Sequence, residues 1–144
     1  MIKRLLFLFF LGFSSIVFAI DSQNMVVQQL QLANVHLKTD VKIAEEYADR
    51  ALVLSEKIGY IDGSAEAYWL KGRIEFNKGH LTESGQSFER ASQLFNKTGN
   101  QKMYAITLKD FADYQRARGQ LIEAAETVAK AKLIAISTKN LALQ

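Results

Sequence analysis

The stretch that decides the fold runs from residue 65 to residue 91 and reads AEAYWLKGRIEFNKGHLTESGQSFERA. On the C-terminal side of Gly79 the apolar residues fall at Leu81, Phe88 and Ala91, which is helical spacing and not strand alternation. A glycine between two helical runs can end the first of them in a left-handed conformation. The stretch therefore predicts two helices, over residues 65–77 and 81–97, joined by a tight turn.

The same pattern returns at a constant interval of forty positions, without a gap. The sets at this interval are Ala51, Ala91 and Ala131; Ala48, Phe88 and Val128; Ala44, Ser84 and Ala124; Leu54, Leu94 and Ile134; Gly79 and Gly119; and Gly59 and Gly99. The repeat divides the chain into units at residues 20–60, 61–100 and 101–144, the last including the start of an incomplete cap or fourth unit. We expect an all-α fold, an α-solenoid of about three helix-turn-helix repeats.

Three glycines lead to further structural expectations. Gly85 lies inside a predicted helix, where glycine costs about 1 kcal/mol relative to alanine, so a neighbouring helix backbone is expected to approach there. Gly72, on the first helix of the same unit, is the expected counterpart, with Phe88 filling the space between the helices. The pair Asp62-Gly63 is interpreted as a turn between units.

Together these residues resemble the tetratricopeptide (TPR) repeat family, in its long form with a period of forty. The second unit matches the family pattern at Tyr68, Gly72, Gly79, Ser84, Phe88 and Ala91, and the third at Leu108, Phe111, Ala112, Gly119, Ala124, Val128 and Ala131. The closing proline of the pattern is missing throughout, and the first unit has Gln28 and Thr39 at the aromatic and turn positions, as expected of a terminal repeat. The resemblance covers the whole chain after residue 19.

The resemblance implies a concave groove, lined by the first helix of each pair, that binds a protein or peptide. The positions expected to face it are Gln29, Ala33 and His36; Trp69, Arg73, Phe76 and Asn77; and Lys109, Asp113 and Arg116. Trp69 and Arg73 are one helical turn apart, and both residue types are common in binding hot spots. They suit a peptide with an apolar residue and a carboxylate. The alternative is that Trp69 and Phe76 are core residues.

The N-terminus has the layout of a secretory signal peptide. Two basic residues are followed by an apolar run over residues 5–20, with small side chains at Val17 and Ala19. Residues 1–19 are therefore predicted to be removed, leaving a chain that starts at Ile20. A retained membrane anchor is the alternative, although a spanning helix needs about 20 apolar residues. Either reading predicts an exported bacterial protein, periplasmic or secreted.

Composition argues against several other functions. The chain has no cysteine, and therefore no disulfide, thiolate ligand or lipid-attachment thiol. Two of its net three positive charges belong to the signal segment, so the remainder shows no basic footprint for nucleic acid. His36 and His80, the only histidines, fall in different repeats. We therefore expect no metal, no cofactor and no catalytic site.

The C-terminal end leaves two interpretations open. Leu133, Ile134 and Ile136 have only residues 141–143 to cover them, and no polar capping helix follows. The chain is expected either to form a homo-oligomer or bind a partner through this end, or to be a truncated relative of a longer receptor. The leading functional prediction is a non-catalytic scaffold that binds a protein or peptide. The alternative is the sensory portion of a bacterial signalling receptor, related to exported repeat proteins that carry a cyclase or kinase domain.

Overall fold

The computed structural model describes residues 20–141, with side chains as far as residue 139, so the predicted signal segment lies outside the described range. Within this range six helices follow one another and no strand occurs. Their bounds are residues 20–36 (α1), Val41–Lys57 (α2), Ile61–Lys78 (α3), Leu81–Thr98 (α4), Gln101–Ala117 (α5) and Leu121–Leu141 (α6). The predicted all-α repeat solenoid is confirmed. None of the described helices is long and apolar enough to span a bilayer.

The links between helices recur at a constant spacing. Four glycines with positive φ end helices α2 to α5, at Gly59, Gly79, Gly99 and Gly119. At Gly79 the chain reverses while the amide of His80 donates to the carbonyl of Glu75 at 2.9 Å. Equivalent bonds close the other three helix ends, from Tyr60 to Ser55, Asn100 to Phe95 and Gln120 to Gln115. Because the links are equally spaced, α2, α4 and α6 begin at equivalent repeat positions, Val41, Leu81 and Leu121.

The first link has no glycine and uses a side-chain cap instead. Asp40 accepts hydrogen bonds from the amides of Lys42 and Ile43, both at 3.1 Å. A capping aspartate satisfies amides that the first turn of a helix leaves unpaired. The first unit thus reaches the same hairpin geometry with different turn chemistry.

The predicted turn at Asp62-Gly63 is wrong, because both residues lie inside α3, which begins at Ile61. The turn lies at Gly59 instead. A Cβ on Gly63 would come within 2.9 Å of Val26 in α1 and would also overlap the ring of Tyr60. Gly63 is therefore a contact residue that lets α1 and a tyrosine approach, not a chain-reversal residue.

The predicted pairing of Gly72 with Gly85 is also wrong. A Cβ on Gly72 would lie 2.6 Å from the ring of Phe88 on α4, and the atoms nearest to Gly85 belong to the ring of Tyr114 on α5. The two glycines therefore accommodate aromatic rings from neighbouring helices, not each other's backbone. Ser84 reinforces the first contact by donating a hydrogen bond to the carbonyl of Gly72 at 2.9 Å, fully buried.

The second helix of each pair presents small residues to the core. Ala91, Ala124 and Ala131 are buried, and Val128 is half-buried. The buried residues form two clusters, one joining α1, α2 and α3 and the other joining α3 to α6. Trp69 packs against both clusters. The first helices are also adjacent to one another, since α3 contacts α5 directly.

Replacing Gly72 by alanine tests the contact with Phe88. In an exposed helix this change stabilises by about 1 kcal/mol, whereas overpacking a core costs about 1–3 kcal/mol. We expect a net loss of stability and a lower Tm in thermal unfolding followed by circular dichroism. In a chain that already carries Phe88→Leu, Gly72→Ala should cost less stability than it does in the wild type. A Tm that rises in Gly72→Ala would contradict the close contact.

Candidate functional site

Trp69, Arg73 and Asp110 form the centre of a polar cluster between α3 and α5. The indole Nε1 of Trp69 donates to Oδ2 of Asp110 at 2.9 Å. The Nε of Arg73 lies 3.8 Å from the same oxygen, and its guanidinium stacks over the Trp69 ring at 4.8 Å. The carboxylate of Asp110 thus holds Trp69 and Arg73, two residues that the sequence predicted to face the groove.

The cluster continues onto the neighbouring first helices. Arg73 donates to the side-chain oxygen of Asn34 on α1 at 3.3 Å. Lys109 lies 3.6 Å from both Asp110 and Asp113. Arg116 forms an ion pair with Asp113 as well. We call these residues, with Trp69, the α1–α3–α5 network, because they join the three first helices across one face.

A pocket opens beside this network between α3 and α5. Its volume is about 340 Å³, part of it open to solvent. Phe76 and Phe88 supply its apolar surface, and the polar side chains around them are Arg73, Asn77, Asp110 and Asp113. An apolar recess bordered by groups of both signs suits one apolar side chain of a larger ligand, with polar contacts around it.

The structure brings together five of the ten residues predicted to face the groove. Trp69, Arg73, Lys109, Asp113 and Arg116 belong to the network, and Asn77 borders the pocket beside it. Two residues on α1 lie in other surroundings. His36 stacks on Tyr47 of α2 at 5.8 Å, and the side-chain oxygen of Gln29 is buried without a hydrogen-bond partner. Ala33 is fully buried in the first core cluster.

Asp110 and Asn34 are the members that sequence reasoning missed. A signal for Asp110 was present, because the equivalent positions of the other repeats hold Leu30 and Leu70, both buried. An aspartate at a core position needs a polar partner nearby, since burying an unpaired charge is costly. Asn34 has no such signal, because its role depends only on the reach of Arg73.

A second, larger groove lies at the C-terminal end of the solenoid, between α5 and α6. Its volume is about 800 Å³ including open solvent. The residues lining it are Ala105, Ile106, Lys109, Arg116, Val128, Ala131, Lys132 and Ala135. We call it the end groove. Its apolar floor has three basic side chains beside it.

Shifted pKa values mark two places outside the pocket. Burial acts to raise the pKa of Glu75, but hydrogen bonds with His80 and Lys78 outweigh it and lower the pKa below its ordinary value. The pKa of Lys78 is raised, chiefly by its hydrogen bond to Glu45 at 2.8 Å. This cluster ties α2 to the end of α3, which is a structural role.

The pKa of Glu66 is raised, in contrast to that of Glu75. Burial, and next the Asp62 carboxylate, raise its pKa. The folded chain therefore holds this proton more tightly than the unfolded chain, and stability falls as the pH rises from the ordinary pKa towards the raised one.

Neither known proteins nor a metal site among the described residues identifies a function for this chain. The chain matches no protein-family model, and searches of curated proteins and of solved structures return no match. Among the described residues no group of three or more His, Asp or Glu side chains is placed to hold a metal ion. The site is therefore characterised by its own geometry.

Asp110 is the residue on which the network should depend most. Asp110→Ala leaves the indole N–H of Trp69 without its acceptor and Arg73 without its ion-pair partner, and we expect a loss of about 1–3 kcal/mol in unfolding free energy. Asp110→Asn keeps an acceptor for Trp69 and should lose less. Urea unfolding can be followed through Trp69, the only tryptophan. Equal stability of wild type and Asp110→Ala would contradict this role.

Proposed function

We propose that the chain is an exported, non-catalytic repeat protein of the tetratricopeptide type whose first helices bind an extended segment of another protein. The observation that carries this proposal is the pocket between α3 and α5, with apolar surface from Phe76 and Phe88 and polar groups of both signs around it. The constant repeat period and the ring of Phe88 against Gly72 support the family assignment.

The binding chemistry follows from which groups around the pocket are already engaged. Arg73 is held by Asp110, Asn34 and the Trp69 ring, so its side chain has a fixed position at the border of the pocket. Asn77 is exposed, and its amide carries both donors and an acceptor, the set needed to bind a peptide backbone. The ligand class that fits is an extended peptide with one apolar side chain in the pocket and its backbone beside Asn77.

The rigidity of the network supports this function. A site held by hydrogen bonds and ion pairs before the ligand arrives loses less conformational entropy on binding. Arg73 and Asp110 are both largely shielded from water, at 29% and 21% side-chain exposure, so their ion pair is screened less than a surface pair. The face joining α1, α3 and α5 is therefore a preformed surface.

Export is the second part of the proposal, and it is supported by the sequence of residues 1–19. We expect the full chain, expressed in a bacterial host, to appear in the periplasmic fraction with an N-terminus at or near Ile20. A variant lacking residues 2–19 should stay in the cytoplasm. Intact-mass measurement of each fraction checks this. A membrane-bound chain that still begins at residue 1 would support the anchor instead and contradict cleavage.

Peptide binding can be tested with peptides selected on the purified chain from a random library displayed on phage. We expect the selected peptides to share one apolar residue, and Asn77→Trp, which fills the mouth of the pocket, to weaken their binding at least about tenfold. Asn96→Trp is the matched control, because Asn96 is an exposed asparagine on α4 away from the pocket. Fluorescence anisotropy with labelled peptides measures both.

Three results would reject the proposal. One is equal peptide affinity for wild type and Asn77→Trp, with both chains folded by circular dichroism. Another is a selection that yields no peptide whose binding exceeds that of a scrambled sequence. Equal loss of binding in Asn77→Trp and Asn96→Trp would likewise place the peptide elsewhere.

A further inference from the structure

The outer face of α6 carries an unusual apolar stripe. Ile122, Leu133 and Ile136 are 76%, 69% and 58% exposed, and Ala129 lies among them. At 100° per residue these four positions fall within a sector of about 60° on the helix. We call them the α6 stripe. Large exposed apolar side chains on one face of a soluble helix mark an interaction surface.

Repeat stacking does not explain the α6 stripe. The equivalent residues of α4 are all polar and remain exposed although two more helices follow it: Thr82, Glu89, Gln93 and Asn96. The equivalent residues of α2 are also exposed, and three of the four are charged: Lys42, Asp49, Val53 and Glu56. These positions therefore face outward in every repeat, and another helix pair stacked after α6 would leave them uncovered. The apolar residues of α6 serve a different contact.

The geometry points to a second copy of this chain as the partner, bound through antiparallel packing of two α6 helices about Ala129. An antiparallel pair related by a two-fold axis at Ala129 places Ile122 of each copy opposite Ile136 of the other, since the two are seven residues either side of it. The small Ala129 lets the helix axes approach closely at the crossing point. Leu133 adds apolar area beside it.

The charges at the edge of the α6 stripe fit the same arrangement. Glu126 and Lys130 lie on one edge of the stripe, a single turn apart, and both are exposed. In a two-fold antiparallel pair, like edges of the two helices meet. Glu126 of each copy therefore lies beside Lys130 of the other. Lys130 is already oriented by the ring of Tyr104, 5.3 Å from its ammonium group.

The end groove is less suited to a second copy. Lys109 and Arg116 line it but are already ion-paired with carboxylates of α5, so a second copy would bring Lys132 to this basic rim without supplying a free carboxylate from the groove. Head-to-tail stacking is disfavoured for a different reason. In the preceding repeat the equivalent groove is filled by Tyr104 and Leu108 of α5. The corresponding residues of α1 are Asn24 and Gln28, which supply no apolar face.

The area buried between the two α6 helices determines how strongly the dimer is expected to bind. Two crossing helices bury less than the roughly 800 Å² per partner of a standard stable interface. The dimer should therefore form reversibly with concentration. The inference does not depend on the proposed peptide groove, because the α6 stripe and the pocket lie on different helices.

Sedimentation velocity of the purified chain, over concentrations from about 1 µM to about 1 mM, tests the dimer in the range expected for a small interface. Wild type should pass from monomer to dimer. Ile136→Lys and Ile122→Glu should each weaken the dimer at least about tenfold, since each buries unpaired charge. Asn96→Lys is the matched control, because it is the equivalent position on α4, and it should dimerise like wild type.

Mixing the two single variants tests the antiparallel register. Ile122→Glu in one copy then faces Ile136→Lys in the other, while the wild-type isoleucines meet at the opposite end, so the mixture should dimerise more strongly than either variant alone. Three results would overturn the inference: a wild type that stays monomeric throughout, an Ile136→Lys chain that dimerises like wild type, or a mixture no stronger than its components.

Discussion

The spacing of chain reversals is the constraint on which this structure depends. A left-handed glycine follows each of α2 to α5, and these glycines are evenly spaced along the chain, so successive helices have nearly equal length and stack at a constant offset. The carbonyl groups at each helix end are satisfied within the turn, as at Gly79, where the amide of His80 bonds Glu75. Equal helices and closed turns let one helix pair repeat the geometry of the last.

Within that frame, the pairs are held by small residues that face large ones. Phe88 occupies the space that a side chain on Gly72 would need, and Tyr114 does the same at Gly85. A solenoid has no central core, so its stability is the sum of such contacts between neighbours. Trp69 lies where the two core clusters meet, and its indole N–H reaches Asp110 on the next helix pair. The same side chain therefore contributes to packing and shapes the candidate site.

The two surfaces that we propose as binding sites are on different rows of helices. The pocket with Phe76 on its wall lies between first helices, whereas the α6 stripe lies on the outer side of a second helix. A protein that pairs through α6 would keep its peptide surface free in both copies. Two linked sites raise the avidity for a ligand that carries two matching segments, without any new contact in either pocket.

The repeat period, the two helices of each unit and the turn at Gly79 could be predicted from the sequence, because apolar periodicity and turn residues are local signals. Trp69 and Arg73, which lie one turn apart, could also be identified from the sequence as candidate site residues.

The tertiary structure decided what those residues contact. It placed Gly63 inside a helix because Val26 and Tyr60 approach it, and it turned Gly72 towards Phe88 and away from Gly85. It also brought Asp110, distant in sequence, onto Trp69. Local patterns specify where helices begin and end, but the partner of a side chain depends on how two helices lie against each other, and no single segment carries that information.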